Sequence, residues 1–384
     1  MREIFKKFDD VREVFSNDFP QLKSKKGRII YLDNANRTLI PIQVMDVIYD
    51  YNTRPELYFG ESSQDIIDKC RRKIADFMKI KDYKDIFVVP WSNSILHVLI
   101  QTVLHILDDT ESKDKVIVFQ PSCYNETYTY LNNIAKYHRI FKLYPLKLTP
   151  NGKIDVSSIG EFNRISLALI QYIDHITGSI NPIEEVAKVT HERGGIILLD
   201  CSLAAAHTYI GKEIEDMDVI YVAGDKMLAP YNTGFIWVNP NSQVYQQVIE
   251  VINMYKLDNL ALYAGLSMAI DYLKAIGKNW IVKHENQLLN TLYDSLADLT
   301  QINIMWMDRK DKIGIVSVNS NEERLKKAYL KLIKSNVYVG YGDLNSTYML
   351  NYTNLNSLMR ISVYIYNWTE DIEKFISTFK ESLT

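Results

Sequence analysis

The sequence predicts an α/β protein, with a mostly parallel central sheet covered by helices and a smaller α+β domain after it. Three observations predict this. Short apolar runs alternate with helical stretches from about residue 85 to 238. The runs are bounded by Gly, Asp and Pro, the pattern of strands buried on both faces. Beyond about residue 260 the texture changes to two helical stretches followed by strands interleaved with helices.

The elements can be justified in order. "DDVREVF" near the start reads as a helix packing on the smaller unit. "DIFVVP" (85–90) is a strand feeding the helix "SNSILHVLIQTVLHIL". "KVIVF" (115–119) is a strand and "NETYTYLNNIAKYH" its helix. "ISLALIQYID" (165–174) is the next strand, followed by the helix "IEEVAKVTHERG". "GIILLD" (195–200), "DVIYVAG" (218–224) and "GFIWV" (234–238) are three more, the last turning back antiparallel after Gly224. Helices near 260–276 and 279–298 come next, then "INIMW", "KIGIVSVN", "NVYVGYG" and "LMRISVYIYN" as strands and a final helix "TEDIEKFISTFKESL". The expected division is residues 29–258 for the large domain, with 1–28 and 259–384 forming the small one.

Composition narrows the function classes. The chain has 384 residues, 47% hydrophobic and 24% charged, enough to bury a large core. Its net charge of −3 offers no basic footprint for nucleic acid. The three cysteines show no CxxC spacing, so neither a disulfide framework nor a zinc site is expected. With no signal peptide either, the expected compartment is cytoplasmic. No apolar run reaches the ~18 residues of a membrane span. GxGxxG, Walker and HExxH motifs are missing.

The chemistry is expected where strands end, since parallel sheets carry ligands at that edge. "GIILLD" ends in Asp200 and "DVIYVAG" just before Lys226. Asp174 and His175 close a third strand, and Ser92 and Asn93 open a helix whose free N–H groups suit a phosphate. Each signal alone has a plainer explanation, such as a helix cap or a surface lysine. Together they form the set that pyridoxal phosphate requires. The lysine forms a Schiff base, the carboxylate keeps the pyridinium protonated, and the helix N-terminus holds the phosphate.

At these residues the sequence resembles the class V aminotransferase family of fold-type I pyridoxal-phosphate enzymes, which includes cysteine desulfurases, selenocysteine lyases and isopenicillin N epimerase-like proteins. The resemblance rests on "IIYLDNANRTLIP", "ITGSINPIEEVAKVTHERGGIILLDCSLAAAH", "DVIYVAGDKMLAPYNTGFIWV", "AGLSMAIDYLKAIG" and "LMRISVYIYNWTEDIEKF". It implies Lys226 as the Schiff-base lysine and base for the α-proton. It implies Asp200 on the pyridinium nitrogen, Ser92 and Asn93 in the phosphate turn, and Arg360 on the substrate α-carboxylate. The loop around Ala35 and Asn36 would line the entrance. It also implies a homodimer with a small amino-acid substrate.

The departures fall in the site itself. Asp225 stands where the family has a histidine, Ala223 where a hydroxyl is common, and Leu203 where a glutamine is common. His175 replaces an asparagine and is a candidate acid/base. Tyr124, or Cys123 beside it, falls near the residue that stacks on the cofactor ring. Desulfurases use a mobile cysteine shortly before the carboxylate-binding arginine, and "VYVGYGDLNSTYMLNYTNLNSLMR" has none. The expected activity is thus α- or β-carbon chemistry on a small amino acid (lyase, transaminase or epimerase) without an ordinary persulfide step. The alternative is a degenerate member acting as a binding or partner protein.

Overall fold

The computed structural model describes residues 11–383 except 26, 55, 57–61, 91–92, 109–114, 139 and 256–258. Its strands are β1 (Lys23–Ser24), β2 (Gly27–Arg28), β3 (Ile30–Leu32), β4 (Ile86–Pro90), β5 (Lys115–Phe119), β6 (Phe141–Pro145) and β7 (Leu167–Gln171). They continue as β8 (Ile196–Asp200), β9 (Val219–Ala223), β10 (Thr233–Val238), β11 (Asn303–Ile304), β12 (Ile315–Asn319), β13 (Val337–Gly342) and β14 (Leu358–Ser362). Seven of them form one sheet in the order β4-β10-β9-β8-β7-β5-β6. Strand β10 is antiparallel to both neighbours and the remaining pairs are parallel. This is the mostly parallel α/β sheet that the sequence predicts.

The central strands are apolar throughout because both faces are covered. Alternate residues go to opposite sides, as the two-residue strand repeat requires. Leu167, Leu169, Ile196, Leu198, Val219 and Ile236 face the helices Asn93–Asp108, Asn125–Tyr137 and Tyr245–Ile252. Ala168, Ile170, Ile197, Leu199, Ile220 and Phe235 face Ser63–Met78, Ile183–Glu192 and Leu260–Ile276. Gly277, at φ +88°, breaks the chain between Leu260–Ile276 and Lys278–Ala297.

The second sheet has the order β11-β12-β14-β13-β3. Its core joins Val316, Val318, Met359 and Ile361 to the helices Lys278–Ala297, Glu322–Lys334 and Thr369–Leu383. Strand β3 lies on its edge, parallel to β13, with Tyr31 opposite Tyr338. Residues 30–32, expected within the large domain, therefore extend the smaller sheet. Asn34 seals this junction: its Nδ2 donates to the Ser362 carbonyl at 2.7 Å and to Asn367 Oδ1 at 3.2 Å. Among the described residues no single helix is long and apolar enough to cross a membrane.

Candidate active site

Strands β5, β7, β8 and β9 run in the same direction, so their carboxyl ends share one edge. Asp200 is the last residue of β8 and is 7% exposed. Its Oδ1 accepts the Ser202 N–H at 2.8 Å. Burial raises its carboxyl above the usual range, opposed by Ser202 and by the nearby positive charge of Lys226. Among the described residues, Asp200 has no cation within ion-pair distance.

Lys226 follows β9 on a single 3-10 turn, Gly224–Lys226. Gly224 is required there by close approach: a Cβ would lie 2.7 Å from Thr233 Oγ1 and 2.8 Å from the Thr233 carbonyl oxygen. The turn sends the chain back along β10. Lys226 is 7% exposed, and its Nζ donates to the Asn36 carbonyl and lies 3.3 Å from Asp225 Oδ1. Asp225 is paired: Arg37 Nε sits 4.0 Å from its Oδ2, and the Arg37 guanidinium lies 4.0 Å from the Tyr231 ring centroid.

Arg360 sits in β14 at 3% exposure. Its Nη1 donates to the His175 carbonyl at 2.9 Å and its Nη2 to Asp33 Oδ1 at 2.9 Å. Its Nε is buried without a partner. His175 is 2% exposed, with Nδ1 3.1 Å from Gln171 Nε2 and Nε2 3.4 Å from the Leu344 carbonyl. Burial, then Arg360 and Lys226, hold the His175 pKa well below its usual value, so the ring is neutral. Tyr124 stacks on it at 4.5 Å and 20°. Burial, then the charge of Asp200, pushes the Tyr124 phenol far above its ordinary range.

Of the residues singled out in the sequence, Lys226 and Asn36 touch, Arg360 and His175 touch, and Tyr124 and His175 touch. Asp200 stands one strand from Lys226 on the same edge. Ser92 lies outside the described residues; Asn93 opens the helix Asn93–Asp108, and its side chain is outside them too. Sequence reasoning gave no role to Asp33, Arg37 or Gln171. Asp33 carried a signal, since it is the acid that ends "IIYLD".

The donor set fits pyridoxal phosphate at the ring end. A buried carboxylate without an ion-pair partner is costly unless a positive group comes against it, and a protonated ring nitrogen is such a group. The cysteines offer no reactive thiolate. All three are buried; burial pushes the Cys70 and Cys123 thiols up to about 12 and the Cys201 thiol well above its ordinary value.

The profile of the Aminotransferase class-V family matches residues 30–375. A probable cysteine desulfurase of Staphylococcus aureus (strain COL) is 23% identical over 97% of each chain. One from Halalkalibacterium halodurans is 22% identical over 90% of this chain and 91% of its own. The fold matches the apo structure of a cysteine desulfurase from Thermococcus onnurineus NA1 with a TM-score of 0.83 at 18% identity, covering 98% of this chain and 99% of that one. An Escherichia coli cysteine desulfurase gives 0.83 at 16%, with the same coverage.

Proposed function

Because this chain belongs to the aminotransferase class-V family of pyridoxal-phosphate-dependent enzymes, we propose that it works on the α- or β-carbon of a small amino acid, as a homodimer, without forming a persulfide. The observation that carries the reading is Asp200, a buried carboxylate with no ion-pair partner among the described residues, one strand from the buried amine of Lys226. When bound, pyridoxal phosphate supplies an electron sink for negative charge at the substrate's α-carbon.

The chain's own residues divide the remaining work. Lys226 supplies the amine that holds the cofactor's aldehyde and is the base placed for the α-proton. Asp200 favours the protonated ring nitrogen. Ser92 and Asn93 are the residues for the phosphate turn. Arg360 holds the substrate carboxylate, and its guanidinium is fixed from behind by the His175 carbonyl. A neutral His175 keeps the ring stack with Tyr124 without adding a further positive charge beside Arg360 and Lys226.

The absence of a persulfide step rests on chemistry. That step needs a mobile thiolate, and the three cysteines are buried with raised thiol pKa values. A different reading, a binding protein without turnover, is motivated by Asp225, Ala223 and Leu203, each of which stands where the family has a usual cofactor contact.

The test is reduction with borohydride after adding pyridoxal phosphate, followed by mass mapping. We expect the cofactor's mass on the peptide containing Lys226, and its loss in Lys226→Ala. Undiminished turnover by Lys226→Ala overturns the lysine's role. No label at saturating cofactor shifts the assignment to the binding protein. A cysteine-derived sulfur found on Cys70, Cys123 or Cys201 during turnover refutes the persulfide-free reading.

A further inference from the structure

The expected carboxylate-binding arginine already holds a carboxylate, that of Asp33. Asp33 Oδ1 accepts from Arg360 Nη2 at 2.9 Å, and its Oδ2 accepts from Asn36 Nδ2 at 3.1 Å. The contact depends on Gly340, the residue opposite Arg360 in the β13–β14 ladder. A Cβ on Gly340 would lie 2.9 Å from Asp33 Oδ1 and 3.4 Å from Arg360 Nε. A side chain on Gly340 would crowd the two charged groups where they meet.

Charge decides what a ligand can do here. Among the described residues, three carboxylates (Asp33, Asp200, Asp225) lie with three cations (Arg37, Lys226, Arg360) in this site, and the buried Asp174 beside His175 adds further negative charge. A substrate carboxylate that simply joined them would bring an uncompensated negative charge into a buried place, which is costly. One that takes the place of Asp33 keeps the balance. Mobility favours the same outcome. The Arg360 side chain is 3% exposed and that of Asp33 is 17%. The backbone beside Asp33 is pinned, since the Ala35 N–H donates to Ser362 Oγ at 2.9 Å. With the backbone held, side-chain rotation is the route open to Asp33.

We propose that Asp33 is the specificity-determining residue of this site: a built-in carboxylate that caps Arg360 and is exchanged, one for one, for the carboxylate of a small amino acid. The proposal rests on the reading of Arg360 given above. Its consequence is selective. Ligands carrying a carboxylate compete with Asp33, whereas isosteric amides do not. Removing the charge of Asp33 must therefore tighten carboxylate binding specifically.

Isothermal titration of the cofactor-free protein with propionate tests this, with propionamide as the uncharged control. Asp33→Asn is expected to bind propionate at least about tenfold more tightly than the wild type, the equivalent of ~1.4 kcal/mol. Propionamide affinity should stay the same in every form, and Arg360→Ala should lose propionate binding. Asp33→Ser is the second variant should the Asn form not fold. Unchanged or weaker propionate binding in the variants, or none in any form, overturns the proposal; weaker binding would make Asp33 a support that orients Arg360. The measurement needs no cofactor, so it stands apart from borohydride labelling of Lys226. Labelling can fail while the exchange is confirmed, and the reverse.

Discussion

Replacing Arg360 with Leu should destabilise the protein through the charge it leaves behind. The guanidinium is 3% exposed and makes two bonds of 2.9 Å, to Asp33 Oδ1 and to the His175 carbonyl. Breaking a buried pair from one side costs about 3–5 kcal/mol, most of it the unpaired charge that stays. Arg360→Leu strands the Asp33 carboxylate, so about 4 kcal/mol is expected. Asp33→Asn keeps a neutral acceptor near Arg360 and should cost less, about 2 kcal/mol. The double variant leaves no stranded charge. Its remaining loss is the orphaned His175 carbonyl, about 1–3 kcal/mol. The double variant should thus be no less stable than Arg360→Leu alone, with a coupling energy of about 3–5 kcal/mol. Urea unfolding of the four cofactor-free proteins at neutral pH, followed by both near- and far-ultraviolet circular dichroism, completes the cycle. Single-variant losses that add to within about 0.5 kcal/mol would refute the argument, because the two residues would then be independent.

Other outcomes follow from the same structure. The His175 pKa is held well below its usual value by burial, Arg360 and Lys226, so below an unfolded pKa of about 6.5 the unfolded chain takes up a proton that the folded one refuses. Stability should fall as pH drops through that range in the wild type and fall less in His175→Asn, as urea titrations either side of it would show. Lys312 gives the same sign at higher pH: burial lowers its pKa to about 8 from 10.5, so the unfolded chain holds an extra proton between those values. Wild-type stability relative to Lys312→Met should then rise with pH across that window, by up to about 3 kcal/mol; a difference that does not vary with pH would exclude a buried ammonium. Gly340→Ala should crowd the place where a carboxylate meets Arg360, cost about 1–3 kcal/mol in unfolding experiments and weaken propionate binding in the Asp33→Asn background.

What the sequence made legible was local. The strands that end in Asp200 and Ala223 are uninterrupted apolar runs, and the antiparallel return of β10 follows from the short turn after Gly224. The edge strand β6 escaped notice because its burial alternates and Lys142 and Tyr144 interrupt its apolar pattern. The position of β4 was equally hidden: it precedes β5 in the chain yet pairs with β10 at the far edge of the sheet. In the candidate site, each strand-end residue could be picked out by type. Their partners could not. Asp33 and Arg360 are 327 positions apart, and Asn36 and Lys226 are 190 apart. No periodicity reports a contact across such distances; only the pairing of β3 with β13 creates the first.

That pairing sets a timetable for synthesis. Ile30 waits for Val337, 307 residues later in the chain. At about 5–20 residues per second, the interval is roughly 15–60 s, long beside the folding time of a helix or hairpin. Asp200 and Lys226 leave the ribosome well before Arg360. The nascent chain thus completes the β8–β9 edge while Ile30–Leu32 still lacks a neighbour, and the Asp33–Arg360 contact is among the last to form.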